Sequence, residues 1–243
     1  MKVMKKWLVL LFSLFFLTAC SSSKALSEKE AASVFIDAII YNKQTQLFKE
    51  NFVDATEALK VMHGKDEEAF TQELIQGIMQ TSNISKDEAA TISSSMKQVL
   101  KEQTKYQIKS VKEKKNHAYE VTYEIYGVDF IQGFKTAMTN MFEQMLKNPA
   151  LAQDTNNLAK ELAVELSQGL KDAGIVKKPV EVKVELTKEK DKWRIANSQL
   201  KNLQNLTLAF WFGKKDQQDF IKETMQVITD LSNEFQEKML QGQ

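Results

Sequence analysis

The chain has 243 residues, 43% apolar and 27% charged, with a formal net charge of +1. A single cysteine excludes an internal disulfide or a cysteine cluster, and two histidines exclude a histidine-rich metal site. The near-neutral balance argues against a nucleic-acid binder driven by phosphate neutralisation.

Residues 1–19 have the composition of an export signal. Lys2, Lys5 and Lys6 form a positive start, and Trp7–Leu17 is an apolar run broken only by Ser13. That run is shorter than the about 20 residues a spanning helix needs, and it fits the apolar region of a signal peptide. Leu17-Thr18-Ala19-Cys20 follows and resembles a bacterial lipobox. The resemblance implies peptidase cleavage between Ala19 and Cys20 and lipidation of the Cys20 thiol, with small residues at 18 and 19 giving the peptidase access. Two acyl chains, at about 0.8 kcal/mol per buried methylene, hold a protein on a membrane where one is marginal. The expected location is therefore the extracytoplasmic face of the cell membrane, with palmitate-type acyl chains on Cys20. The 32 lysines against one arginine, Arg194, and the many Asn, Gln and Ile residues resemble a low-GC Gram-positive composition. Leu11–Thr18 also resembles the short apolar pheromone peptides cut from some lipoprotein signals. Removing residues 1–19 takes away three lysines, so the mature chain carries a side-chain charge of −2.

Residues 20–27 read as a tether and 28–243 as one α+β domain. Ser27 and Glu30 make a capping-box pattern opening a helix with Ala31, Val34, Phe35, Ala38 and Ile39 on one face. A second helix is expected over 45–62, closed by His63-Gly64, with Phe48, Phe52, Ala55, Leu59 and Met62 inward. A third is expected over 66–80. Ser85 and Glu88 repeat the capping box before a helix over 86–103. The period then changes from 3.6 to 2: Tyr119, Val121, Tyr123 and Ile125 alternate with polar residues, and 106–112 is the expected hairpin partner. Asp129 and Asp154 start the two helices of an insertion over 129–174, the second stopped by Gly174. Alternation resumes at Val180, Val182, Val184 and Leu186, and a turn over Lys188–Asp191 leads to a short strand with Trp193 and Ile195. Residues 199–212 fit helix or strand equally, and 216–240 is a long amphipathic helix with Phe220, Ile228, Leu231 and Phe235 inward. The expected fold is α+β, an antiparallel sheet of about four strands packed on helices.

The Ala31–Phe35 helix opening, the separate antiparallel sheet and the Asp191–Ile195 strand are similar to Gram-positive lipoproteins of unknown function. In those proteins the soluble part resembles a cystatin-like or nuclear-transport-factor-like module, a helix laid across a curved sheet. That resemblance implies no catalytic residues.

No catalytic or metal-binding residue and no cofactor is assigned. His63 and His117 read as exposed loop residues, without a nucleophile and an orienting group beside them. Glu120 and Glu124 share one outward strand face, and Glu181 and Glu185 another. If the strands were neighbours the four could hold a cation weakly, but a solvated face relieved by Lys183 is preferred. The Phe130, Phe134, Met138, Met141, Phe142 and Met145 stripe fits core better than a peptide-binding groove of a chaperone-like protein. Phe210-Trp211-Phe212 fits a packed corner better than an exposed patch. The expected function is a lipid-anchored, non-enzymatic binding or interaction module of the cell envelope, with a protein or peptidoglycan partner. An envelope enzyme built from scattered carboxylates and hydroxyls is the rival.

Overall fold

The Ser27 hydroxyl and the Glu30 carboxylate cap each other's backbone N–H groups, and from this box α1 (Glu28–Ile39) begins. The computed structural model describes residues 25–63, 85–195 and 200–241. The helix expected over 66–80 lies outside them. Ala31, Ala32, Val34, Phe35, Ile36 and Ala38 of α1 are all buried.

The helix expected over 45–62 is instead two, α2 (Thr45–Asn51) and α3 (Ala55–His63). Phe52 between them is extended (φ −116°, ψ 140°), and Asp54 takes a left-handed φ of 58°. The break has a non-local cause. Phe52 forms a parallel bridge with Trp193, and the Val53 N–H donates to the Trp193 carbonyl at 2.8 Å. Phe48, Phe52, Ala55 and Leu59 still point inward as the spacing predicts.

Ser85 and Glu88 form the second capping box, opening α4 (Lys86–Gln103), whose Ala89, Ile92, Met96, Val99 and Leu100 are buried. The sheet follows as β1 (Lys105–Glu113), β2 (Ala118–Tyr126), β3 (Val180–Glu189) and β4 (Lys192–Ile195), antiparallel throughout in the order β1-β2-β3-β4. Its inner face buries Val121, Tyr123, Ile125, Val182, Val184, Leu186 and Trp193. The β3–β4 turn is tighter than the Lys188–Asp191 expected. Lys188 pairs with Trp193 and Glu189 with Lys192, leaving Lys190-Asp191 as the two-residue loop, with Lys190 at φ 57°.

Between β2 and β3 stand α5 (Phe130–Lys147) and α6 (Thr155–Ala173), capped by Asp129 and Asp154 and joined through a 3-10 turn over Pro149–Gln153. Their base is clasped at the end of the sheet where the Asp129 N–H donates to the Gly174 carbonyl at 3.0 Å. The Val176 N–H likewise donates to Gly127 at 2.9 Å. The pair packs on itself, on α4 and on the last helix, α8 (Gln217–Gln241). Residues 200–212 form α7 (Leu200–Phe212), set against β3 and β2 and touching α4, α5 and α8. With neighbours on so many sides, α7 buries Leu206, Ala209, Phe210 and Phe212, which is why no single apolar stripe marks it.

Candidate functional site

Thr18, Ala19 and Cys20 lie outside the described residues. The chain enters the fold at Leu26, which is buried and whose carbonyl accepts the indole N–H of Trp193 at 3.1 Å. Trp193 is itself wholly buried. Tyr119 packs edge-on against it at 5.4 Å between ring centroids, and the Lys188 ammonium lies 5.4 Å from its ring. Its backbone carbonyl holds Val53, so one residue joins the entering chain, the α2–α3 link and β4. This is the end of the sheet that carries both hairpin turns, and the Lys188 N–H ties them by donating to the His117 carbonyl at 3.0 Å. The α5–α6 pair leaves from the opposite end.

The outer sheet face brings together the four carboxylates singled out in the sequence. Glu120 sits opposite Glu185, and Glu124 opposite Glu181. Like charges facing each other across strands are unfavourable, and lysines relieve them. At a bulge in β1 between Ile108 and Ser110, Lys109 reaches across the outer face to the pair formed by Glu124, at 3.1 Å, and Glu181. Hydrogen bonds first to Glu181 and then to Glu124 raise the Lys109 pKa above its ordinary value. Lys183 reaches Glu120 at 3.0 Å and Lys114 reaches it at 3.3 Å. The Lys183 hydrogen bond, then that of Lys114, holds the Glu120 carboxyl below its usual range. This is the solvated, lysine-relieved face the sequence favours, with Lys109 and Lys114 joining Lys183. Among the described residues, no group of three or more His, Cys, Asp or Glu is placed to hold a metal ion.

Sequence reasoning missed a polar cluster under α1. The Tyr106 hydroxyl donates to Asp37 Oδ1 at 3.0 Å and lies 3.0 Å from Ser33 Oγ. Beside it the Tyr41 hydroxyl meets Thr104 Oγ1 at 3.1 Å, and Tyr123 donates to the Ala32 carbonyl at 2.9 Å. The available signal was Ser33 and Asp37, one helical turn apart on a helix otherwise apolar beyond its charged first turn. Burial pushes the hydroxyls of Tyr41, Tyr106 and Tyr123 above the ordinary tyrosine pKa. These groups therefore stay neutral donors near pH 7, suited to pinning α1 to the sheet and unsuited to acting as bases.

The two histidines differ. His117 is exposed in the β1–β2 turn, as expected, with φ 54°. His63 is not a free loop residue: it ends α3 half-buried, its Nε2 2.8 Å from the Ala38 carbonyl. Partly burying a ring nitrogen costs free energy unless it is paired, and the Ala38 carbonyl near the end of α1 accepts from it. The Met/Phe stripe is core over Phe130, Phe134 and Met141, and Phe142 stacks on Phe235 of α8 at 4.8 Å. Phe210 and Phe212 are buried in the packed corner expected.

An open groove of about 530 Å³ runs along the β1 bulge, lined by Glu28, Lys29, Lys109, Ser110, Glu113 and Tyr119. Among the described residues no helix is long and apolar enough to cross a membrane.

A family model described as a domain of unknown function (DUF5105) matches residues 18–211. A solved structure of a candidate lipoprotein, ycdA, from Bacillus subtilis subsp. subtilis str. 168 is similar at 15% identity with a TM-score of 0.55. The likeness covers 77% of this chain and 56% of that one, so the chain spans little more than half the length of the protein it resembles. At that identity the match shows a shared fold. No curated protein matches the chain.

Proposed function

The chain belongs to the DUF5105 family, and from that premise we propose that it is a lipid-anchored protein of the cell envelope, cleaved between Ala19 and Cys20 and acylated on Cys20. The observation that carries this reading is positional: the chain's one cysteine stands at the lipobox position after an eleven-residue apolar run. The fold then captures the chain six residues later, at Leu26. The similarity to a candidate lipoprotein of Bacillus supports the same reading and a Gram-positive setting, with the protein on the outer face of the cytoplasmic membrane. Residues 28–243 act as one unit on that anchor. We read α1 across the inner sheet face as the cystatin-like or nuclear-transport-factor-like part of the fold.

The module works by binding rather than catalysis. Its tyrosine hydroxyls are committed to structural bonds, Tyr106 joining β1 to α1, Tyr123 joining β2 to α1 and Tyr41 meeting Thr104, and His63 is committed to the Ala38 carbonyl. The partner is a protein or peptidoglycan at the envelope. The test is fractionation of cells expressing the full chain or Cys20→Ala. The wild-type chain is expected in the membrane fraction with a diacylglyceryl mass on its N-terminal peptide. Cys20→Ala is expected to lose that mass and the processing at Ala19. Equal processing and equal membrane retention of the variant overturn the anchor.

A further inference from the structure

We propose that the two hairpin turns beside Leu26 form a second membrane contact, an electrostatic foot that rests on anionic phospholipid headgroups. The proposal builds on the anchor at Cys20 and adds what that anchor implies for orientation. From Cys20 to Leu26 a fully extended chain reaches about 20 Å at most. Leu26 is fixed to Trp193, so the end of the sheet that holds Trp193 is the end held near the bilayer.

What the two turns present there is basic. The segments 112–117 and 188–194, joined by the Lys188–His117 hydrogen bond, carry seven basic side chains against three acidic ones. The mature chain as a whole is acidic, at −2. Lys112, Lys114, Lys115, Lys190 and Lys192 are exposed on these turns. Exposed charges act over roughly a Debye length, about 8 Å at physiological salt, so they matter only where the surface is held close. The short tether provides that closeness, and basic side chains near an anionic leaflet are each attracted to it. The insertion emerges from the opposite end of the sheet, so this orientation turns α5 and α6 away from the membrane.

The test uses the mature lipidated chain in vesicles of phosphatidylglycerol with phosphatidylcholine, and in vesicles of phosphatidylcholine alone. Lysine acetylation rates are read residue by residue by mass spectrometry. Lys114, Lys115, Lys190 and Lys192 are expected to react at least about threefold more slowly on the anionic vesicles. Lys177 and Lys178, at the far end of the sheet, are expected to be unchanged. About 1 M salt, which shortens the Debye length to about 3 Å, should abolish the protection. A K115E/K192E variant, altered only at exposed positions, should lose it at Lys114 and Lys190. Equal rates on the two vesicles, or slowing of Lys177 and Lys178 to the same degree, overturn the foot. The mass of the Cys20 peptide in the same digest decides the anchor separately, so the two failures are distinct.

Discussion

The indole N–H of Trp193 and the carbonyl of Leu26 are 167 residues apart in sequence and 3.1 Å apart in space. This bond fixes the segment before α1 to β4. Trp193→Phe keeps an aromatic ring in the same pocket but leaves a buried carbonyl without its donor. Leaving such a group unpaired costs about 1–3 kcal/mol. The urea midpoint should fall by the corresponding amount with an unchanged slope, and limited proteolysis should cut near Ala25–Ser27 where the wild type resists. An unchanged midpoint and cleavage pattern would show that the bond does not hold the entry segment.

Two glycines set how closely the backbone can pack. A Cβ on Gly127 would lie 1.8 Å from the Ala209 carbonyl oxygen, and one on Gly169 would lie 2.5 Å from that of Gly133. Both obstacles are backbone, which cannot swing aside as a side-chain end can. Overpacking of this kind costs about 1–3 kcal/mol and occasionally more. Gly169→Ala should fall within that range by pushing α5 from α6, and Gly127→Ala should exceed it by lifting α7 from the end of the sheet. Thermal unfolding of both variants checks the order, and a Gly127→Ala variant as stable as wild type would contradict the close approach.

Much of this architecture is legible along the chain because its causes are local. Ser27 with Glu30 and Ser85 with Glu88 announce helix starts three residues wide, Asp129 and Asp154 mark the starts of the two inserted helices, and Gly174 marks where the second stops. The strand alternation at Val180–Leu186 names its own buried face. What is not legible depends on distant partners. Nothing between residues 45 and 62 reveals the break at Phe52, which exists because Trp193 supplies a strand edge to pair with. Residues 200–212 lack a readable period because α7 is enclosed by sheet and helices. The acidic outer face is legible as residues but not as a balance, because the β1 bulge that brings Lys109 to Glu124 and Glu181 is a matter of register. The Tyr106–Asp37–Ser33 cluster joins α1 to β1 and needs both elements in place. Cys20 is the reverse case: the lipobox proposal rests on the sequence, and the fold adds that the chain is caught at Leu26, six residues on.

The second capping box can be tested by protonation. The hydrogen bonds that Glu88 makes with Ser85 hold its carboxyl below the ordinary glutamate pKa. A carboxyl depressed in the folded state contributes stability above its unfolded value and loses it as pH falls through the folded value. Ser85→Ala should raise the Glu88 pKa toward the ordinary range, read by carboxyl chemical-shift titration. It should also cost about 1 kcal/mol at neutral pH through the lost cap. If Glu88 titrates at the same pH in both proteins, the reciprocal box is not what depresses it.

The alkaline limb should belong to the tyrosines. The chain has five, and four of them, Tyr41, Tyr106, Tyr119 and Tyr123, are raised above the ordinary value, with burial the largest cause in each. For a group whose folded pKa is raised, the stabilisation is fully present below the unfolded value of about 10 and is lost as pH rises through the folded one. The protein should therefore keep its full stability up to about pH 10 and lose it steeply beyond. In a spectrophotometric titration most of the phenolate signal should appear above pH 10, with the last part arriving together with loss of the near-ultraviolet circular dichroism. That last part is assigned to Tyr123, whose hydroxyl is sealed against the Ala32 carbonyl and ionises only when α1 lifts. Tyr123→Phe tests the assignment: it should remove the signal coupled to unfolding and leave the earlier ionisations in place. A phenolate of Tyr123 that forms while the folded dichroism persists would place water at that hydroxyl and contradict the packing of α1 on β2.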